Sequence, residues 1–175
     1  MKKYFISFCA MCFLFACKND GEKKEVETPA KKASIELPYT ASYSSSWSND
    51  ISDADLKMVL MTYKDWENNN MTGLAAAFGD TLEVNMYGGD YIKKPTAEIL
   101  KMFSTSRDSL SSVKIDMQAW NKMYSTDKKE SYIVAWYSEI DTYKTGKIDS
   151  ADYHDINQVK NGKITWYSQY KRPKK

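Results

Sequence analysis

His154 and Asp155, neighbours in the stretch DYHDINQV, are the side chains best suited to move a proton near neutral pH. One is the single imidazole of the chain; the other is a carboxyl that burial would raise into the same range. Thiol or metal chemistry would need the cysteines, and Cys9 and Cys12 have the C-x-x-C spacing of a redox or metal half-site. Both lie in the apolar run Tyr4 to Phe15, which follows Lys2 and Lys3 and ends at the small residue Ala16. That is the plan of a secretory signal, removed from the mature chain, and the run is too short to span a bilayer. Neither a disulfide nor a reactive thiol is therefore expected. One histidine and no free cysteine leave no zinc set of the usual spacing. Asp149, Asp152 and Asp155 lack the glycine and terminal glutamate of a calcium loop. Gly88-Gly89 has no helix start behind it to cradle a phosphate, and no G-x-S-x-G elbow occurs. No metal and no cofactor are expected.

Leu14-Phe15-Ala16-Cys17 resembles the lipobox of bacterial lipoproteins, in which the signal is cut before the cysteine and its sulfur takes a diacylglycerol. The resemblance implies a signal peptide over residues 1–16 and lipid on Cys17, a membrane tether without a membrane span. Asn19-Asp20-Gly21-Glu22 resembles the export tag of some surface lipoproteins of Bacteroidota. The expected place is the cell envelope of a Gram-negative bacterium, in the outer membrane, on its periplasmic side or the cell surface. The whole chain has Lys+Arg 25 against Asp+Glu 23, and loss of Lys2 and Lys3 makes the mature protein neutral. Nothing in that balance suits nucleic acid. Residues 17–51, rich in Lys, Glu, Ser and Thr, are expected as a flexible tether, and residues 52–173 as one domain.

In that domain Leu56, Val59, Leu60, Tyr63 and Trp66 fall on one stripe of a helix opened by Ser52. A short second helix follows Asn68-Asn69-Asn70, and TLEVNMY alternates as a half-buried strand ended by Gly88-Gly89. Pro95 opens a third helix, with Ile99 on its apolar face. From Val113 onward four strands follow. The order α-α-β-α-β-β-β-β is that of an α+β protein.

The first helix running into NNNMTGLAAAFGDTLEV, the Pro95 helix and the closing HDINQVKNGKITWYSQY resemble the nuclear transport factor 2-like superfamily, with its SnoaL-like and ketosteroid isomerase-like members. The resemblance covers about Asp55 to Arg172. It implies a cone-shaped fold, a curved antiparallel sheet wrapped around helices, whose open end holds a small-molecule pocket or stands empty. It also implies no particular chemistry, because the shared features are hydrophobic and turn patterns.

The last hairpin fixes facing. Asn161-Gly162 is the preferred two-residue type I′ turn, and an unbroken ladder from it pairs Val159 with Ile164, Asn157 with Trp166, Asp155 with Ser168 and Tyr153 with Tyr170. This set is expected to face the cone, with His154 on the outer side unless a bulge intervenes. In SYIVAWYSEI the positions Tyr132, Val134, Trp136 and Ile140 form the more apolar face, which puts Trp136 in the cone too. The expected pocket is Tyr63, Trp66, Trp136, Tyr153, Asp155, Asn157, Trp166, Ser168 and Tyr170, with Asp155 the best candidate for acid or base. Along KIDMQAWNKM, Trp120 is expected outward beside Tyr167, a contact surface on which the resemblance implies a homodimer.

Asp155 falls where ketosteroid isomerase resembles this chain in carrying a protonated acid that donates to an oxyanion. The carboxylate base of that enzyme corresponds to Asn85, an amide that takes no proton. Chemistry of that kind is not expected. Three readings stay open: a lipid-anchored module binding an unknown small molecule, an enzyme using Asp155 in isomerisation, dehydration or hydrolysis, and a scaffold whose filled cone presents a protein-binding sheet.

Overall fold

The computed structural model describes residues 35–174. Cys9, Cys12, Cys17, the signal segment and Asn19 to Glu22 lie outside the described residues. The chain divides into two units, and the second, from Tyr39 onward, holds the described helices and strands. This unit starts ahead of the expected boundary at Ser52. Strand β1 (Trp47–Ser48) pairs with the end of β4 (Leu110–Ser125). Ser44 Oγ donates to Asp127 Oδ1 at 2.6 Å, and the Trp47 ring meets Tyr132 edge-on at 6.1 Å. Hydroxyls and two rings hold this segment, so no apolar periodicity announces it.

Helix α1 (Asp53–Glu67) begins at Ser52, whose Oγ accepts from Asp55 N at 3.0 Å. Its stripe buries Val59 and Tyr63, with Leu56, Leu60 and Trp66 packed at the margin of the core. Removing the cap leaves an N–H of the first turn without an acceptor. Ser52→Ala should therefore lower unfolding free energy by about 1 kcal/mol, seen as a shifted urea midpoint at unchanged slope. Helix α2 (Met71–Ala77) is capped by Asn70, whose Oδ1 accepts from Gly73 N at 3.1 Å. Strand β2 (Phe78–Asn85) buries Leu82 and Val84, leaving Asn85 on the other face. Strand β3 (Tyr91–Pro95) pairs antiparallel with β2, and α3 (Thr96–Asp108) buries Ile99.

β4, β5 (Glu130–Tyr143), β6 (Ile148–Lys160) and β7 (Lys163–Pro173) form an antiparallel meander, and β2 joins β7 in parallel. The sheet order is β1-β4-β5-β6-β7-β2-β3, seven strands with two free edges. The helices pack against one face, and Val59, Leu82, Ile99, Ile133 and Ile164 lie between, fully buried. This is the expected α+β cone, with β1 and β3 added to the expected order.

Of the four register shifts along the ladders, two decide what faces the cone. In β7 the ladder passes from Val159↔Ile164 to Gln158↔Trp166, so Thr165 is an extra residue. In β4 it passes from Met117↔Tyr137 to Ala119↔Trp136, so Gln118 is extra. Each bulge moves every later side chain of its strand to the opposite face.

Candidate functional site

Strand β6 keeps the expected phase. Tyr153, Asp155, Asn157 and Val159 are buried toward the helices, and His154 lies on the outer face. Beyond Thr165 the facing of β7 is reversed. Tyr167 pairs with Asn157, Gln169 with Asp155 and Lys171 with Tyr153, and these three line the cone. The expectation for Trp166, Ser168 and Tyr170 is corrected accordingly. They pair with the outward Gln158, Ile156 and His154.

β5 is also corrected. Ile133, Ala135, Tyr137 and Glu139 pair with the inward face of β6, and Trp136 stands outside. Its ring stacks on His154 at 4.9 Å and 12°, and Tyr170 closes the other side of that imidazole at 5.8 Å. The β4 bulge turns Trp120 to pair with inward Ala135, on the helix side though half-exposed. Trp120 and Tyr167 therefore form no joint surface on the back of the sheet.

A cavity of about 320 Å³ opens at the end of the cone marked by Ser109, Leu110 and Tyr143. Of the expected residues it brings together Tyr63, Trp66, Tyr153, Asp155 and Asn157. Trp66 and Phe78 each meet Phe103 edge-on, at 6.4 and 6.5 Å, and Phe103 lies 6.4 Å from Tyr167. These rings, from α1, α3, β2 and β7, give one wall its apolar character.

β5 and β6 supply the polar wall. Asp155 Oδ2 accepts from Tyr137 Oη at 3.0 Å and from Tyr63 Oη at 3.3 Å. Asn157 Nδ2 donates to Tyr63 Oη at 3.2 Å and to the Ile133 carbonyl at 3.3 Å, and Gln169 Nε2 donates to Tyr137 Oη at 3.3 Å. Asp155 Oδ1 has no partner. Burial pushes the Asp155 carboxyl up to about 7, against the downward pull of the hydrogen bonds from Tyr137 and Tyr63. Burial and the Asp155 charge in turn hold Tyr63 and Tyr137 well above the usual phenol range. Both phenols stay protonated and remain donors.

Toward the mouth stand Glu139 and Asp141, which sequence patterning missed. Burial, then the charge of Asp141, pushes Glu139 above the ordinary carboxyl range. Burial raises Asp141 as well, while Glu139 and Lys171 oppose that rise. The two titrate as a pair, and a proton resides on Glu139 more readily than on Asp141. Lys171 Nζ bonds Asp149 Oδ2 at 3.1 Å and lies 5.1 and 5.5 Å from the centres of the Tyr87 and Tyr153 rings. Burial works against its charge, but the bonds to Tyr153 and Asp149 outweigh that and raise its pKa. The signal for Glu139 was available. With β6 in phase, a three-residue Lys144-Thr145-Gly146 loop closed by Tyr143 and Lys147 pairs Asp141 with Asp149 and therefore Tyr137 with Tyr153.

Among the described residues no three or more His, Cys, Asp or Glu side chains are gathered as a metal site. No helix there is long and apolar enough to cross a membrane.

No family model matches the sequence, and no curated protein matches it. Solved structures do. An LEH-like epoxide hydrolase of M. tuberculosis superposes with a TM-score of 0.59 at 12% identity, over 69% of this chain and 84% of that one. A nuclear transport factor 2-like protein of unknown function from Burkholderia pseudomallei gives 0.55 at 13%, over 69% and 91%. A SnoaL-like polyketide cyclase, so described provisionally, from Jannaschia sp. CCS1 gives 0.56 at 5%, over 70% and 88%. At such identities the likeness speaks for the fold.

Proposed function

From the nuclear transport factor 2-like fold of this chain, we propose that it is a lipid-anchored extracytoplasmic protein that binds a small molecule in the open end of its cone. The observation that carries the reading is Asp155, buried against a cavity of about 320 Å³ with one carboxyl oxygen unpartnered. A buried acceptor without a partner is unfavourable unless a ligand or water completes it. Aromatic walls with a few converging polar groups suit a partly apolar ligand. The cavity weighs against a filled-cone scaffold. The neighbours named as an epoxide hydrolase and a polyketide cyclase carry small-molecule names, which agrees with such a pocket.

The membrane part rests on Cys17. Intact mass of the mature protein should correspond to loss of residues 1–16 with lipid on the new N-terminus, and retention of those residues would refute the anchor. For the pocket, native mass spectrometry of detergent-extracted protein should find a carried small molecule. Asp155→Asn should reduce its occupancy about tenfold, because an amide N–H then stands where the acceptor stood. Equal occupancy in the variant would remove Asp155 from the site.

The position of Asp155 also favours a second reading, acid–base catalysis in isomerisation, dehydration or hydrolysis. A carboxyl near neutrality, held by two phenolic donors, is suited to either half of a proton transfer. Saturable binding without turnover of the bound molecule would decide for the binding protein. A homodimer through the outer sheet face remains part of the proposal, with Trp136 and Tyr170 in place of Trp120 and Tyr167. Trp136 and Tyr170 stand there 37% and 56% exposed on either side of His154.

A further inference from the structure

Three buried side-chain polar atoms lack a hydrogen-bond partner among the described residues: Asp155 Oδ1, Asp141 Oδ1 and His154 Nε2. The first two belong to side chains that line the same cavity, and both are carboxylate oxygens. The cations near them are already engaged. Arg107 donates to the carbonyls of Trp66 at 2.9 Å, Glu67 at 2.8 Å and Leu110 at 3.4 Å. Lys171 is held by Asp149. In their ionised forms these oxygens are acceptors only, so the hydrogen-bonding capacity then left unmatched in the pocket is that of acceptors. A ligand that brought only acceptors would leave these atoms unsatisfied or force protons onto them.

Resting on the binding reading above, we infer that the cavity takes a small organic cation, a primary or secondary ammonium on a flat apolar body. The ammonium is met by the Glu139–Asp141 pair, and the body lies along Trp66, Phe103 and Tyr167. Asp155, deeper in the cone, accepts from a second donor on the ligand. The protein supplies the charge balance itself. Glu139 and Asp141 hold a proton between them in the empty pocket, and an ammonium placed beside them favours its release. The Trp66 indole lines the cavity together with Glu139 and opposes the rise of its pKa, so one residue serves both the apolar wall and the acidic one. An anion of the same shape meets three carboxyls lining the cavity, Glu139, Asp141 and Asp155, and among the described residues it finds no unengaged cation there.

The test is calorimetric titration of the full mature protein at pH 7 with tyramine and tryptamine, with the corresponding arylpropionates, and with the neutral arylethanols. The expected result is at least a tenfold preference for each amine over the carboxylate of its own shape. Protons should be released on amine binding, read from two buffers of different ionisation heat. Glu139→Gln with Asp141→Asn should weaken the amines at least tenfold and change the arylethanols less than twofold. If that double variant fails to fold, the proton count on the wild type decides, and no release or an uptake overturns the inference. Carboxylates or alcohols binding as tightly as amines would overturn the cation preference while leaving the pocket as a binding site. No binding by any of the three series would overturn both.

Discussion

Asp155→Asn should make this protein more stable at pH 8 and leave it nearly unchanged at pH 4. In the folded state the carboxyl titrates at about 7 instead of its ordinary 3.8, and burial is the main cause. Below about pH 4 it is protonated in both the folded and the unfolded chain, so its titration adds nothing there. Between about pH 4 and 7 the folded chain keeps a proton that the unfolded chain has given up, and stability falls as pH rises. Above about 7 both forms are ionised and the loss is complete. At about 1.4 kcal/mol per pH unit, that loss is on the order of 4 kcal/mol. An asparagine imitates the protonated acid. Its carbonyl can still accept from Tyr137 and Tyr63, and its amide stands where the acid proton stood. Urea unfolding of wild type and variant between pH 4 and 8 measures the effect.

Other groups shape the wild-type curve, so the comparison with the variant carries the prediction. Glu139, also raised by burial, loses stability in the same direction. His154, whose pKa burial lowers, works the opposite way, because its unfolded form takes up a proton first as pH falls. Asp152 is held below the usual range by Arg172, Lys174 and Ser138, and its contribution is lost only in acid below about pH 4. The difference between wild type and Asp155→Asn should grow from near zero at pH 4 to its full size by pH 8. A constant difference across that range would mean that Asp155 ionises normally in its buried place. If the prediction holds, the residue lowers stability at neutral pH, the pattern of a group kept for function over fold.

That same tension explains what could be read from the sequence. The stripe of α1, the alternation of β2 and the Asn161-Gly162 turn are local signals, and each specifies its own element. The phase of β6 follows from the turn and places Asp155 and Asn157 inward. The phase of β7 does not, because Thr165 and Trp166 are both good strand residues and nothing local marks the bulge between them and Ile164. On β5, apolar patterning chose the wrong face. The inward set Ile133, Ala135, Tyr137 and Glu139 includes a small residue and an acid, whereas outward Trp136 stacks against His154. A sheet face that lines a polar pocket is less apolar than a core face. Patterning alone therefore tends to turn such a strand over where the functional groups sit.

Arg107→Met should lower the unfolding free energy by about 3 kcal/mol, since hydrogen bonds from a charged donor contribute roughly 1.5–3 kcal/mol each and two of those lost here are short. Arg107 is only 6% exposed, and the three hydrogen bonds of its guanidinium go to carbonyls. Two of these, on Trp66 and Glu67, belong to the last turn of α1, where carbonyls lack partners within the helix and a positive charge meets the negative end of the helix dipole. The third, on Leu110, belongs to the first residue of β4. One side chain of α3 thus ties the end of α1 to the start of the meander. Methionine keeps most of the volume and none of the donors, so the change isolates the polar contribution from packing. Arg107→Lys keeps the charge without the fork and should recover less than half of the loss. The melting temperature of Arg107→Met should fall by roughly 10 °C. Because Trp66 and Leu110 also line the cavity, ligand affinity should fall in Arg107→Met even at temperatures where it remains fully folded. A loss below about 1 kcal/mol would show that water reaches these carbonyls once the guanidinium is gone. The junction would then be held by Trp66 and Phe103 packing alone.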